Sequence, residues 1–254
     1  MSAAVRYEVV NGVAWVTIDR PDAHNALNAD VRAGLFETTH RFNADDEAKV
    51  LVLTGAGDRA FSAGGDLKEM AAGGLRNPGP DFLPQFGRNV EVVKPTIAAV
   101  NGVAYAGGFL LAQMCDLCIA SDSAKFAISE MKVGRGAPWA TPLSLLVGER
   151  AAMEILLTGD PVGAERAERM GLVNQVVPAD SLRAHVQQLA ERIAANAPLS
   201  VAAAKVTARL AGRMGLEEAY VEAERIWDPV YQSADAQEGP SAFREHRKPV
   251  WSAR

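Results

Sequence analysis

Apolar residues near the start of the chain fall into two short β-rich runs, 5–10 and 13–19, which meet at Asn11-Gly12. A two-residue Asn-Gly link between such runs predicts a tight hairpin. The period then changes: Val31, Leu35, Phe36 and Phe42 recur at a spacing that gathers them on one helix face, with Asn28 placed to cap the first turn. Residues 49–54 and 96–100 are apolar runs of the kind expected of strands buried on both faces. Residues 116–120 and 173–177 read as further strands, and 106–114 and 150–157 as helices between them. This alternation predicts an α/β fold. Beyond Val177 the strands stop, and 181–194, 199–210, 216–231 and 234–246 all carry helical periodicity. The expected division is therefore 1–178 and 179–254, with the break at Pro178-Ala-Asp.

A chain of 254 residues, 48 % hydrophobic and 22 % charged, has ample material for a core and excludes intrinsic disorder. Lys and Arg number 26 against 31 Asp and Glu, a net −5, so no overall basic field favours nucleic acid or an anionic membrane as partner. Arg6 and Glu8 precede any long apolar run, which argues against a signal peptide. From Pro95 to Cys115 the chain is uncharged for about 20 residues, the length of a bilayer span. Asn101, Gly102, Gly107, Gly108 and Gln113 break that stretch into a strand, a glycine turn and a helix, as expected of buried core. Cys115 and Cys118 are too few for a disulfide framework and point to a reducing, cytoplasmic setting. Their C-x-x-C spacing lacks a second pair or a nearby histidine, so core packing is expected there and no metal.

Several nucleotide and hydrolase motifs fail. Gly55-Ala-Gly-Asp-Arg-Ala60 fits G-x-G-x-x-A after a strand, but Phe61-Ser-Ala-Gly-Gly65 follows where a helix is required. Neither G-x-x-x-x-G-K nor G-x-S-x-G occurs. His24, His40, His185 and His246 have no metal-ligand spacing, and only His24 lies in a non-helical segment suited to touching a ligand.

Two glycine turns are more informative: Phe61-Ser-Ala-Gly-Gly-Asp66 and Asn101-Gly-Val-Ala-Tyr-Ala-Gly-Gly108. Each follows a strand and leads into a helix, so each can aim free backbone N–H groups at an anion. If the turns met, they would form an oxyanion hole; if not, the glycines serve only tight turning and close packing. Glu130, amid apolar residues and beside a glycine-rich segment, is either a desolvated base or a surface partner of Lys132.

Taken in order, these pieces resemble the enoyl-CoA hydratase/isomerase (crotonase) family. The matching stretches are Asp19-Arg-Pro-Asp-Ala-His-Asn-Ala-Leu27, Phe61-Ser-Ala-Gly-Gly-Asp-Leu-Lys-Glu-Met70 and Lys94-Pro-Thr-Ile-Ala-Ala-Val-Asn-Gly-Val-Ala-Tyr-Ala-Gly-Gly108. They continue through Cys115-Asp, Glu130, Leu157-Thr-Gly159, Gly171-Leu-Val-Asn-Gln-Val-Val-Pro178 and Asp235-Ala-Gln-Glu-Gly-Pro-Ser-Ala-Phe243, so the likeness spans essentially the whole chain. It implies a ββα spiral core, as in the ClpP/crotonase fold, with a C-terminal helical region that joins subunits into a homotrimer or hexamer. The implied ligand is an acyl-CoA thioester, with no metal or redox cofactor. The implied oxyanion hole is the N–H groups of Gly65 and Gly107. CoA is expected to pass Ala23, His24, Ala63, Asp66 and Leu67, with Lys68 near a phosphate.

Family hydratases carry two glutamates, the first three residues after the second hole glycine. This chain has Leu110 there and keeps only the second, Glu130. Mitochondrial-type enoyl-CoA isomerases are similar to it in both respects and in an Ala-Pro-aromatic stretch like Ala137-Pro-Trp139. The resemblance therefore implies a Δ3–Δ2 enoyl-CoA isomerase, with Glu130 as single base and Leu110, Pro138 and Trp139 around the acyl group. Alternatives are a β-oxidation hydratase recruiting Asp66 or Glu69, and a non-catalytic acyl-CoA binder. Asp66 is expected to support its turn instead, and Glu69 to face solvent. The segment 71–87 is expected to form a mobile loop over the acyl pocket.

Overall fold

In the computed structural model, which describes residues 4–73 and 78–254, the first two runs form β1 (Val5–Val10) and β2 (Val13–Ile18), paired antiparallel. Asn11 and Gly12 both take positive φ, 50° and 78°, the backbone that a two-residue hairpin requires. α1 (Ala29–Ala44) follows, its first turn capped where Asn28 accepts from the Val31 N–H at 3.1 Å.

The chain then winds in repeated turns. β3 (Val50–Gly55), β4 (Ala60–Ser62) and α2 (Leu67–Gly73) make one turn. β5 (Thr96–Val100), β6 (Val103–Tyr105) and α3 (Gly107–Met114) make the next. β7 (Leu117–Ser121) and β8 (Lys125–Ala127) begin a third, which continues in 3-10 turns at Ser129–Val133 and Pro138–Ala140. α4 (Leu143–Val147), α5 (Glu149–Thr158), β9 (Val162–Gly163), α6 (Ala164–Arg169) and β10 (Gln175–Val177) complete the core. The first strand of each turn joins a sheet ordered β1-β2-β3-β5-β7-β10, parallel beyond the hairpin, and the second joins a smaller sheet ordered β4-β6-β8-β9. This is the expected ββα spiral. β4 and β6, three residues each, lie within segments read from sequence as turns, because so short a strand shows no period.

α7 (Leu182–Ala194) packs on the larger sheet, with Leu182, Val186 and Ala190 against Val13, Trp15, Val50, Val52 and Ile97. Ala14, Val16, Leu51 and Leu53 face the opposite way, into the main core with α1 and α3. Burial on both faces is why these strands read as unbroken apolar runs. The division expected at 178 thus falls at the end of β10, yet the first helix beyond it covers the sheet.

α8 (Pro198–Thr207), α9 (Leu216–Tyr231) and α10 (Ala234–Arg244) complete the chain's helices. The largely covered Lys205 of α8 meets Asp116 at 2.9 Å, and Arg209 meets the other carboxylate oxygen at 2.6 Å, tying this region to the start of β7. Cys115 and Cys118 are buried and unbridged, and burial pushes the Cys118 thiol up to about 12. No helix among the described residues is long and apolar enough to cross a membrane.

Candidate active site

The two glycine turns lie against each other. Gly64 takes φ +90°, and a Cβ there would lie 3.2 Å from the Gly107 nitrogen and 2.7 Å from Ala106 Cβ, so only glycine fits. Ala106, at φ 50° and ψ −118°, is itself in a region costly for any side chain, and that turn aims the start of α3.

The direction of the two N–H groups follows from peptide geometry. The Gly64 carbonyl accepts from the Leu27 N–H at 2.8 Å, and the Ala106 carbonyl accepts from the Leu110 N–H at 3.1 Å. In a trans peptide C=O and N–H point opposite ways, so the Gly65 and Gly107 N–H groups point away from those partners. Both glycines line one cavity of about 520 Å³, which also takes Glu130, Leu110 and Trp139 into its wall.

Glu130 lies in the Ser129–Val133 turn and is buried. Its Oε2 has no hydrogen-bond partner among the described residues. Burial raises its pKa above the ordinary carboxylate range, opposed in part by its own backbone N–H, the Trp139 side chain and the Arg135 charge. Lys132, the surface partner considered for it, instead meets Asp160 at 2.6 Å. Leu110, only 5 % exposed, presents carbon to the cavity where a second acid was looked for. Gln113, one turn further along α3, donates to the Trp139 carbonyl at 3.1 Å and so fixes the turn bearing the indole.

Of the residues singled out from sequence, Gly65, Gly107, Glu130, Ala63, Leu67, Leu110, Pro138 and Trp139 are brought together around the cavity. Ala23, His24, Asp66 and Lys68 are not part of its wall. The Ala23-His24 turn stands beside it, since the His24 carbonyl accepts from the Ala63 N–H at 3.0 Å. Asp66 supports its turn, pairing with Arg20 at 3.0 Å and accepting from the Lys68 and Glu69 N–H groups; the Arg20 hydrogen bond holds its carboxyl below the usual range. Glu69 is not simply turned to solvent, because Arg32 grips both its oxygens at 2.8 and 3.0 Å.

Within 71–87, Pro78, Gly79, Pro80, Phe82, Leu83 and Gln85 line the cavity, while residues 74–77 of that expected loop lie outside the described residues. Sequence reasoning passed over Arg88 and Arg135, which also line it. The signal available for Arg135 was its place between two glycines just before Ala137-Pro-Trp139. It also passed over Asn25, wholly buried, whose amide donates to the Ala56 and Ala60 carbonyls and shapes the approach to β4.

The family model for enoyl-CoA hydratase/isomerase matches residues 8–254. An (E)-benzylidenesuccinyl-CoA hydratase of Thauera aromatica is 40 % identical, over 97 % of this chain and 98 % of that one. A carnitinyl-CoA dehydratase of Citrobacter koseri is 38 % identical over the full length of both. Among solved structures, an enoyl-CoA hydratase of Bacillus anthracis superposes with TM-score 0.93 at 30 % identity, over 99 % of this chain and all of that one. A probable enoyl-CoA hydratase/isomerase of Mycobacterium abscessus gives 0.88 at 38 % identity over all of both chains.

Proposed function

The chain belongs to the enoyl-CoA hydratase/isomerase family, and on that premise we propose that it converts 3-enoyl-CoA to 2-enoyl-CoA, with Glu130 as its single acid and base. One observation carries this reading: among the described residues lining the cavity Glu130 is the only acid, and Leu110 stands where a second would be needed.

The thioester oxygen would accept from the Gly65 and Gly107 N–H groups. Glu130 takes a proton from C2, and the negative charge spreads from that oxygen over C2 to C4. The protonated Glu130 then returns the proton to C4, leaving the double bond between C2 and C3. Each preorganised N–H donor is worth about 3 kcal/mol to the enolate-like state. Leu110 and Trp139 keep water from the charged intermediate. A carboxylate disfavoured by burial is a stronger base than a solvated one, which suits a weakly acidic C–H. No step changes an oxidation state, so the proposed reaction calls on no redox cofactor.

Hydration of 2-enoyl-CoA is the second reading, favoured by the hydratase and dehydratase names of the relatives. There Glu130 would deprotonate water for attack on C3 and protonate C2. Paired assays on 3-enoyl-CoA and trans-2-enoyl-CoA, following the conjugated thioester absorbance, separate the two. Conversion of the first with little loss of the second supports isomerisation, and the reverse supports hydration.

We also propose that copies of the chain associate as a trimer or hexamer, since Leu145, Leu157, Tyr220, Tyr231 and Phe243 leave large apolar side chains exposed. Light scattering that gave a monomer at micromolar concentration would refute this.

A further inference from the structure

Arg32, in the first turn of α1, has no place in the cavity wall, yet three parts of the site converge on its guanidinium. Nη1 donates to the Leu27 carbonyl at 2.8 Å and to one Glu69 oxygen at 2.8 Å, while Nη2 donates to the other Glu69 oxygen at 3.0 Å. Its Cζ stands 4.4 Å from the centre of the Phe82 ring. Only 18 % of the Arg32 side chain is exposed, so these contacts are partly shielded from solvent and worth more than on open surface.

Each partner leads to the cavity. Leu27 is wholly buried and touches both glycine turns: its N–H donates to the Gly64 carbonyl at 2.8 Å, and its Cδ1 lies 2.8 Å from where a Gly107 Cβ would be. Glu69 belongs to α2, whose Leu67 and Met70 line the cavity, with Met70 Cε 2.7 Å from where a Gly65 Cβ would be. Phe82 lines the cavity itself.

We infer that Arg32 is a positioning residue for the acyl group, bracing Phe82 and α2 as one apolar wall at a fixed place relative to the Gly65 and Gly107 N–H groups. This rests on the proposal that an acyl-CoA fills the cavity, and it says what holds the surface met by the acyl part. Phe82 lies in no helix or strand, and α2 has only seven residues, too few to keep its shape alone. Both need an outside anchor. α1 supplies it, since its 16 residues are fixed to the core through Val31, Leu35 and Phe42. A guanidinium carries several donors in one plane and a face for an aromatic ring, so it can meet a carboxylate, a carbonyl and a ring together; a lysine ammonium cannot. A wall set in advance spares the ligand the cost of ordering it.

The test is calorimetric binding of butanoyl-, hexanoyl- and octanoyl-CoA to the full chain, with free CoA as reference. In the unaltered protein the tightest of these is expected to bind about tenfold or more tightly than CoA, as burial of two methylenes already allows. In Arg32→Met that advantage should fall by about threefold or more, the worth of the cation on the ring, while CoA itself binds as before. Phe82→Leu should lower the same advantage. The two changes together should cost no more than the larger one, because Arg32 acts through the ring. Arg32→Lys keeps a cation there without the fork, and should lose about twofold. An undiminished acyl advantage in Arg32→Lys overturns the inference even where Arg32→Met does not fold. So do additive losses, and so does a variant that weakens CoA and thioesters alike, since Arg32 then serves only the general fold. These saturated thioesters have no double bond to shift, so missing isomerase turnover rejects the proposed reaction alone. An acyl advantage indifferent to Arg32 rejects this inference alone.

Discussion

A methyl group on Gly64 would lie 2.7 Å from the Cβ of Ala106, so each glycine turn is shaped by the other. Gly64→Ala must force these turns apart and also hold a side chain at φ +90°. The strain alone costs about 1–3 kcal/mol. A lowered melting temperature with near-complete loss of turnover is expected, and wild-type activity would show that the two N–H groups do not need this contact.

Glu130→Gln should lower isomerase turnover by roughly 10²–10⁴, the usual worth of a general base. Its effect on stability has the opposite sign. A carboxyl whose folded pKa lies above its unfolded value binds protons more tightly when folded, so ionisation weakens the fold as pH rises between the two values. The variant should melt higher than the parent at neutral pH, with the gap closing toward pH ~4 where the unfolded carboxyl is protonated. In the parent, turnover should rise with pH through an inflection above the ordinary glutamate range. Equal melting temperatures at pH 7 would mean that Glu130 is solvated in solution.

Leu110→Glu places a second acid in the cavity. Burial of a new polar group costs about 1–3 kcal/mol, so the melting temperature should drop. The ratio of 2-enoyl hydration to 3-enoyl isomerisation should rise at least about tenfold, because the added carboxylate can hold and orient water. An unchanged ratio would show that Leu110 is not what excludes hydration.

Gln113 acts through Trp139, whose carbonyl it holds at 3.1 Å. Gln113→Leu removes that donor, and the turn bearing the indole should loosen beside Glu130. The Trp139 side chain opposes the rise of the Glu130 pKa, so its displacement should move the inflection of the pH–rate profile upward. A fall in turnover without that movement would indicate general loosening of the wall.

Asp116 meets two cations, the largely covered Lys205 and Arg209. Asp116→Ala leaves Lys205 largely covered without its counter-charge, at a cost of about 3 kcal/mol. Chemical denaturation should read that loss, and protease cutting within α8 should rise at native pH. Full retention of stability would mean that the helix does not depend on this pair.

Much of this was legible in the chain itself because it depends on neighbours in sequence. The Asn11-Gly12 hairpin, the Asn28 cap and the long strands follow from local backbone preference and from runs of apolar side chains. The glycine turns and Glu130 were also readable, since both chemistries need particular residue types. The tertiary structure decided the rest, because it depends on residues far apart in the chain. It brought Gly65 and Gly107 to one cavity, paired Lys132 with Asp160, buried Glu130, and tied Glu69 to Arg32. It also placed Arg88 and Arg135 in that wall, where their segments, unremarkable as sequence, meet only after the spiral has closed. Periodicity reports which face of an element is buried, whereas a charge acts on whatever the fold sets beside it.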